Sequence, residues 1–304
     1  MSEVAAVAAK KDYNYLVERL DELPTLPSFV YELGQLINDP MSSTNEIEKV
    51  MEQDQSLTTK VLKLINSAYY AIPGGVTSLA RAIGYLGFDT VNQLVLSTSI
   101  LKALEVKGPT RFDLNKFWQH AIGVGIASEC LAKHIHHRTP ADLFTAGLIH
   151  DIGKVAMYII DPDLLVNISK HAIDNNLTIH ETEIALELPK HEVIGHLLAK
   201  KWNLPVSIQY CILYHHQKES TKRVGVGPDL SRNVDIVLLA NILVNALKFG
   251  HSGHEKAQGV PKQALERLGI QAAQLPKAIE EIRSALNNAE GFLNVIMGSN
   301  VDPQ

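Results

Sequence analysis

Helical periodicity runs through almost the whole chain, and no other feature limits the fold as strongly. Apolar residues recur three and four positions apart, as they do in 33–51, which is the spacing of one helix face. Ser43 with Glu46, and Thr178 with Glu181, have the spacing of a capping box at a helix start. Long runs of alternating apolar and polar residues, which half-buried strands require, are missing. The sequence therefore predicts an all-α protein.

Proline and glycine breaks divide this helical pattern into parts. With 304 residues, the chain is too long for one ordinary core, because single domains cluster at roughly 100–200 residues. A Gly-Pro-Thr break lies at 108–110, and a polar stretch at 218–229 precedes a helix predicted from about Val234 to Phe249. We predict four parts: an N-terminal segment (1–17), an N-terminal helical lobe (18–110), a second lobe (111–217) and a C-terminal helical extension (218–304).

Composition and charge limit the possible partners and compartments. Lys and Arg number 28 against 33 Asp and Glu, so the net charge is −5, which argues against a protein that coats nucleic acid. We find no apolar stretch of the roughly 18–20 residues that a membrane span needs and no apolar signal core at the start. Cys130 and Cys211 lie in apolar runs, as is typical of buried thiols in a reducing compartment. We predict a cytoplasmic protein without membrane or nucleic-acid partners.

Histidines are confined to the later part of the chain. The first of the 13 is His120, and eleven of them fall between His120 and His216. The strongest local pattern is 148–154, where an apolar helix ends in His150 and Asp151, and Lys154 follows. Imidazole and carboxylate groups are ligands that borderline metal ions prefer, and a lysine one turn further on can meet a phosphate. Taken alone, the His-Asp pair also fits a helix end with a polar cap.

Further histidines occur at helix ends or on buried helix faces. His120 lies in a helix of small apolar residues, and His215 and His216 end an apolar run. His191 and His196 are five apart, about 140° around a helix, so at most one of them can point into a common site. Each position alone fits a core histidine or a helix end that complements the dipole. Together they favour a metal cluster.

The remaining histidines are interpreted as surface residues. They are His134, His136, His137, His171, His180, His251 and His254. Signatures of other chemistries are missing, since the chain has no G-x-S-x-G nucleophile pattern, no G-x-x-x-x-G-K-[ST] phosphate loop and no G-x-G-x-x-G before a helix. Metal chemistry is therefore the chemistry that the sequence favours.

Ordered motifs in both halves of the chain resemble the HDOD family, the HD-related output domain of bacterial signalling proteins. They are LPTLP at 23–27, the strings at 54–57, 64–68 and 78–87, HDIGK at 150–154, EVIG at 192–195 and KWNLP at 201–205. The candidate ligands also follow the ligand order of the HD superfamily of metal-dependent phosphohydrolases. The resemblance covers roughly 18–217 and leaves the C-terminal extension outside.

The resemblance implies roles for individual residues. It implies a metal centre whose ligands are His120, His150, Asp151, His191, His215, His216 and Asn241. Asn241 stands where HD enzymes have a closing aspartate, and it is a weaker, neutral ligand. Lys154 matches the phosphate-binding lysine, and Asp151 and Lys154 would be the catalytic residues of an active enzyme. The implied cofactor is one or two divalent transition-metal ions, iron or manganese.

Two functions stay open. Many HDOD members have lost the HD ligands and act as non-catalytic regulatory modules, whereas this chain keeps most of them. The first function is a metal-binding signal-transduction module that acts through contacts with signalling proteins or senses a nucleotide or other phosphate ligand. The alternative is a metal-dependent phosphohydrolase acting on a nucleotide or cyclic dinucleotide, although the Gly-Tyr-Pro elements of the cyclic-dinucleotide branch are absent. A purely structural protein would make the histidine pattern a coincidence.

The expected architecture is a two-lobed helical bundle with an HD-like metal-binding lobe. The N-terminal lobe packs beside the HD-like lobe, and the last helices form a cap in which 230–249 closes the side of the metal site. For the N-terminal lobe we weigh two interpretations, a lobe that serves packing alone or a docking surface for a partner around 66–70.

Overall fold

A computed structural model describes residues 13–38 and 41–297 of the chain. All regular structure in these ranges is helical, which confirms the predicted all-α class. Most of the predicted N-terminal segment, residues 1–12, lies outside the described ranges. The first part contains α1 (Tyr13–Arg19), α2 (Ser28–Asn38), α3 (Thr44–Met51), α4 (Gln55–Ile65), α5 (Leu79–Leu86) and α6 (Phe88–Ala103).

The second and third parts continue this all-helical chain. The second contains α7 (Leu114–His134), α8 (Pro140–Leu148), α9 (Ile152–Ile160), α10 (Pro162–Asp174), α11 (Ile179–Ala185), α12 (His191–Lys201) and α13 (Val206–Tyr214). The third contains α14 (Pro228–Ala246), α15 (Lys262–Leu268), α16 (Leu275–Asn287) and α17 (Glu290–Met297). Both predicted capping boxes are present, at the starts of α3 and α11.

Helix α7 lies at the centre of the later part of the chain. It packs against α8, α14 and α16. A Cβ on Gly125 would press against the carbonyl oxygen of Phe144 in α8, and one on Gly123 would press against the ring of Phe249. Since glycine has no Cβ, the neighbouring elements approach α7 closely, and they bring their polar residues up to His120.

One apolar core extends from the first helix to the last in the described ranges. Hydrogen bonds also join the early helices to the later ones. Trp202 donates through Nε1 to the carbonyl oxygen of Pro24 (3.0 Å), and the Tyr69 hydroxyl donates to the buried carboxylate of Glu129 (2.7 Å). The early helices therefore pack directly on the later ones. The boundaries of the four parts stay a prediction.

The two tyrosines of the segment at 66–70 are half-buried against α17. The rings of Tyr69 and Tyr70 lie 5.8 and 6.4 Å from the ring of Phe292 in α17. Asn66 makes two hydrogen bonds with the backbone of Val76. These contacts agree with the packing interpretation of this segment, because the C-terminal extension already covers the two tyrosines.

The predicted long helix of the extension begins earlier than expected. Helix α14 begins at Pro228, six residues before the predicted start at Val234, because proline suits the first helical turn and Asp229 complements the dipole there. Within it Asp235 accepts hydrogen bonds from Arg223 (2.6 Å) and Arg267 (2.7 Å). These ion pairs hold the extension together, and Arg223 also attaches it to the second lobe by donating to the carbonyl oxygen of Gln217 (2.8 Å).

Within residues 13–38 and 41–297, one stretch is long and apolar enough to cross a membrane by length and composition alone. It is Pro140–Ile160, and 89% of its window is buried inside the fold. It corrects the sequence expectation that no such stretch exists. Core helices of folded proteins pass the same test, so this stretch is weak evidence for a span. A cytoplasmic location stays a prediction.

Candidate metal centre

The turn between α8 and α9 forms the middle of the site. Helix α8 ends at Leu148 and α9 begins at Ile152, so His150 and Asp151 lie in the turn and both are buried. Gly153 opens the first turn of α9, and a Cβ there would overlap the carbonyl oxygen of His191. Glycine at this position lets α12 approach α9 until His191 lies beside Asp151.

Three imidazole nitrogens point at the carboxylate of Asp151. The Nε2 atom of His150 lies 3.2 Å from Oδ2, and the Nε2 atoms of His191 and His215 lie 3.1 and 3.3 Å from Oδ1. The Nε2 atoms of His191 and His215 are themselves only 3.4 Å apart. The lone pairs of the three rings therefore converge on one small region.

Backbone carbonyls fix the orientation of two of these rings. The Nδ1 atom of His150 lies 2.7 Å from the carbonyl oxygen of Gly147, and that of His215 lies 2.8 Å from the carbonyl oxygen of Ile212. A ring nitrogen that donates to a carbonyl carries the proton, so Nε2 is the unprotonated atom of the neutral ring. Both rings are thus held in the tautomer that a metal ligand needs.

The carboxylate of Glu183 fixes the orientation of the His191 ring and also changes the pKa of that histidine. This buried carboxylate lies 2.8 Å from Nδ1 of His191. Burial alone would lower the pKa of His191, but the carboxylates of Glu183 and Asp151 together outweigh burial and raise that pKa to about 10. Burial lowers the pKa of His215 to about 4. In the absence of a metal, His191 therefore carries a proton at neutral pH and His215 is neutral.

His216 and His120 extend the cluster in opposite directions. The Nε2 atom of His216 lies 3.1 Å from Nε2 of His191, and its side chain is half-buried. On the other side, Nε2 of His120 lies 3.1 Å from Oδ1 of Asn241. Potential ligand atoms of Asp151, His191, His215 and His216 lie within 4.8 Å of one another, as do those of His120, His150 and Asp151. Asp151 belongs to both groups and so occupies a bridging position.

Asn241 contacts a candidate ligand rather than Asp151. Its Oδ1 atom accepts a hydrogen bond from Asn245 Nδ2 (2.9 Å) in addition to its contact with His120. The structure thus places Asn241 as an orienting partner of His120, and its predicted role as a direct ligand stays a prediction. Asp235, a carboxylate of the same helix, is held by two arginines instead.

Unpartnered polar atoms show that the site fits a cation. The Nε2 atom of His150, Oδ1 of Asp151 and Nδ1 of His120 are buried, and none of them has a hydrogen-bond partner among the described residues. A buried polar atom without a partner costs about 1–3 kcal/mol. Imidazole nitrogens and a carboxylate oxygen are the donors that a divalent transition metal takes, so one or two such ions would satisfy these atoms together.

Lys154 is buried, and its ammonium group is already engaged. Its Nζ atom donates to Oδ2 of Asp151 (2.6 Å) and to the carbonyl oxygen of Ser252 (3.1 Å). Burial alone would raise the pKa of the Asp151 carboxyl, but His150 and Lys154 outweigh burial and hold that pKa well below its usual range. A phosphate can reach Lys154 only if these contacts change.

Two histidines that the sequence placed at the surface lie at this site, and that prediction was wrong. His254 is buried, and burial together with Lys154 lowers its pKa to about 3. The ring of His180 stacks on that of His216, with centroids 4.5 Å apart. The loop that carries His254 is held against α7, because the backbone N–H of His251 donates to the carbonyl oxygen of Lys116 (2.9 Å).

Sequence reasoning also missed the carboxylates around the cluster. Glu183 and Glu192 are buried at the histidine cluster, yet neither was singled out. The signal that could have found them is an acidic residue in an otherwise apolar helical segment near the candidate ligands. His196 points away and contacts the carbonyl oxygen of Gln209 (3.2 Å), as its five-residue spacing from His191 predicts.

Comparison with known proteins decides the family. The HDOD domain model matches residues 23–218 of the chain. The chain belongs to the HDOD family. This finding confirms the resemblance drawn from the motifs in both halves of the sequence.

Three relatives show how far the HDOD likeness extends. An uncharacterized Treponema pallidum protein is 25% identical over 260 residues, which is 85% of this chain and 48% of that protein; the chain thus spans about half the length of this relative. A Geobacter sulfurreducens HDOD domain protein of unknown function is 26% identical, with a TM-score of 0.74 over 91% of this chain and 97% of that one. A Shewanella amazonensis protein that is named as a candidate phosphohydrolase is 23% identical. Its TM-score is 0.68 over 93% of this chain and 97% of that one, so the two proteins share the fold.

Part of the site comes from outside the region that the HDOD model matches. The match ends at residue 218, whereas Asn241 contacts His120 and the carbonyl of Ser252 contacts Lys154. Gly250, with φ of +72°, lies against the backbone of His120, where a Cβ would overlap it. In this HDOD protein the C-terminal extension therefore closes one side of the metal centre.

Proposed function

We propose that this HDOD protein is a metal-binding signal-transduction module that acts through contacts with signalling proteins or senses a phosphate ligand such as a nucleotide. The observation that carries the proposal is the convergence of the Nε2 atoms of His150, His191 and His215 on Asp151 at 3.1 to 3.3 Å. Each ring is held by an acceptor at Nδ1. Such carboxylate- or carbonyl-supported histidines are typical of metal sites.

Charge supports a bound cation as well. Three buried carboxylates, those of Asp151, Glu183 and Glu192, surround the histidines, and Lys154 is the buried ammonium group beside them. Neutral histidines would leave an excess of negative charge away from water, which is costly. One divalent ion offsets this excess, and iron or manganese suits a mixed imidazole and carboxylate set.

Burial favours a regulatory role over turnover. The side chains of His120, His150, Asp151, His191 and His215 are buried, and Lys154 with them. A hydrolase must seat its substrate beside the metal ions, and here the Ser252 carbonyl occupies the position that a phosphate would need at Lys154. In this arrangement the metal centre stabilises the module, and a phosphate ligand would bind by displacing the extension.

The second candidate function is a metal-dependent phosphohydrolase acting on a nucleotide or cyclic dinucleotide. The proximity of Lys154 to Asp151, at 2.6 Å, favours it, since a lysine beside a metal centre can hold a phosphoryl oxygen. The name of the Shewanella amazonensis structural neighbour agrees with that chemistry. In that case Asp151 would hold the metal ions, and Lys154 would orient the substrate.

Elemental analysis tests the metal centre. Protein purified without chelators should contain at least one equivalent of iron or manganese. Asp151→Ala should lose the metal, whereas His171→Ala, a histidine outside every group of potential ligands, should keep it. Chains without any transition metal, or equal metal content in both variants, would contradict the proposal.

A substrate panel separates the two candidate functions. Nucleoside mono-, di- and triphosphates, their cyclic forms and cyclic dinucleotides are offered to the iron- and manganese-loaded protein under reducing conditions, and binding and products are both followed. Binding without products supports the sensing module. Turnover at about 0.1 per second or faster, two decades below a median enzyme, would support the hydrolase if Asp151→Ala abolishes it and His171→Ala does not.

A further inference from the structure

A further group of potential ligands lies on the solvent side of the metal centre. It consists of His180, Glu192 and His216, and ligand atoms of the three lie within 4.8 Å of one another. His180 is the second residue of α11 and Glu192 the second residue of α12, while His216 follows the end of α13. Three separate elements thus bring their side chains to one point.

The polar atoms of this group are incompletely paired. Glu192 is only 5% exposed, and its Oε2 atom lies 3.5 Å from Nδ1 of His191 without a hydrogen bond to any described residue. Its Oε1 atom lies 3.0 Å from Nδ1 of His180, but that nitrogen also lacks a hydrogen bond of acceptable geometry within the described ranges. A buried carboxylate oxygen that accepts no hydrogen bond keeps its lone pairs available for a metal ion.

We infer that His180, Glu192 and His216 form an additional binding site for a divalent transition-metal ion, with zinc as the best-suited ion. Two imidazoles and one carboxylate are the protein ligands of many zinc sites that keep one position open to water. The side chain of His180 is 22% exposed, so this site opens to solvent, whereas the Asp151 centre is closed. His180 is not among the sequence-predicted ligands, and the site goes beyond the proposed function.

Local structure holds the ligands of this outer site in place. The capping box of Thr178 and Glu181 fixes the first turn of α11, and Lys256 donates to both oxygens of Glu181 (2.8 and 2.9 Å). The ring of His180 lies almost parallel to that of His216, at 22°. A simple ion pair between His180 and Glu192 would not require the His216 ring to stack on His180. It would also not require one oxygen of Glu192 to lack a hydrogen bond.

His216 is shared by the two sites. Its Nε2 atom lies 3.1 Å from Nε2 of His191 at the inner centre, while its ring stacks on His180 at the outer site. Loss of the outer site should therefore leave Asp151, His191 and His215 able to hold an ion. This difference lets one experiment separate the two sites.

The test uses the full chain loaded with cobalt(II) as a spectroscopic stand-in for zinc. His180→Cys should give a near-ultraviolet thiolate-to-cobalt charge-transfer band, because a cysteine at this position replaces one nitrogen ligand with sulfur. His171→Cys is the matched control, and it should give no band beyond that of the unaltered protein with Cys130 and Cys211.

Zinc stoichiometry supplies the second measurement. His180→Ala should bind one equivalent fewer than the unaltered protein, and His171→Ala should bind the same amount. Equal stoichiometry in both variants together with no band in His180→Cys would overturn the outer site. An Asp151→Ala protein that keeps the His180-dependent equivalent would support the outer site even if the inner centre fails, so the two proposals can be judged separately.

Discussion

The Nε2 atoms of His191 and His215 lie 3.4 Å apart in a buried site. Each ring has an acceptor at Nδ1, Glu183 for His191 and the carbonyl oxygen of Ile212 for His215. In their neutral forms the two rings would therefore direct lone pairs at each other. A proton or a metal ion between them removes this repulsion, so protons and metal compete for the same position.

This competition predicts that metal affinity rises with pH. His191, with a pKa of about 10, must lose a proton to bind metal, whereas His215, with a pKa of about 4, is already neutral above pH 6. If His191 releases one proton for each metal ion bound, the affinity for the metal increases about tenfold per pH unit between pH 6 and 8. Chelator competition across this range measures it.

Glu183→Gln is the matched control for this pH dependence. The amide oxygen still accepts from His191, but the loss of charge removes the main cause of its raised pKa. We expect a shallower rise of affinity with pH in this variant. An affinity that is independent of pH in the unaltered protein would contradict the assignment of His191 as a ligand.

Asp151→Ala should destabilise the metal-free protein as well as abolish inner metal binding. It leaves the buried ammonium of Lys154 with only the Ser252 carbonyl as partner, and removing one member of a buried ion pair costs about 3–5 kcal/mol. The double variant Asp151→Ala with Lys154→Met should recover part of this loss. Urea unfolding of metal-free protein measures the difference, and equal stability of the single and double variants would contradict the coupling.

Gly153→Ala should disturb the close approach of α9 and α12. The added Cβ would overlap the carbonyl oxygen of His191, and overpacking of this kind costs about 1–3 kcal/mol or more. We expect a lower melting temperature together with reduced metal content. Gly84→Ala is the control, because no described heavy atom lies within 4 Å of its added Cβ and alanine favours the helix. A Gly153→Ala protein as stable as Gly84→Ala would refute the close approach.

Removal of residues 1–110 should expose apolar surface on the remaining chain. Trp202 would lose its partner Pro24, and the buried Glu129 would lose the Tyr69 hydroxyl. Large exposed apolar patches lead to association, so we expect an aggregated product by light scattering. A soluble, monomeric and cooperatively unfolding second half would show that the lobes do not depend on a shared core.

The sequence was informative where local chemistry decides the outcome. The capping boxes of Ser43 and Thr178 define helix starts, because their side chains bond to backbone three residues away. The dipeptide His150-Asp151 lies in the turn that the sequence placed after an apolar helix. These features could be predicted because they depend only on residues that are close together along the chain.

Burial was harder to foresee. His180 and His254 were taken for surface positions, although tertiary contacts place both at the site. Glu183 has no motif of its own, and Glu192 entered only as the first residue of the EVIG motif at 192–195. The packing of α11 beside the start of α12 shows that both carboxylates lie next to Nδ1 of His191.

By itself, the sequence determined the helical class, the family and the order of the candidate ligands, because periodicity, capping and motifs are properties of neighbouring residues. Tertiary structure alone decided which nitrogen each histidine offers, since that depends on acceptors such as Glu183. It also decided that Lys154 is engaged by the carbonyl of Ser252, 98 residues further along the chain. Local signals do not encode contacts across such distances, because these contacts arise only when the helices pack.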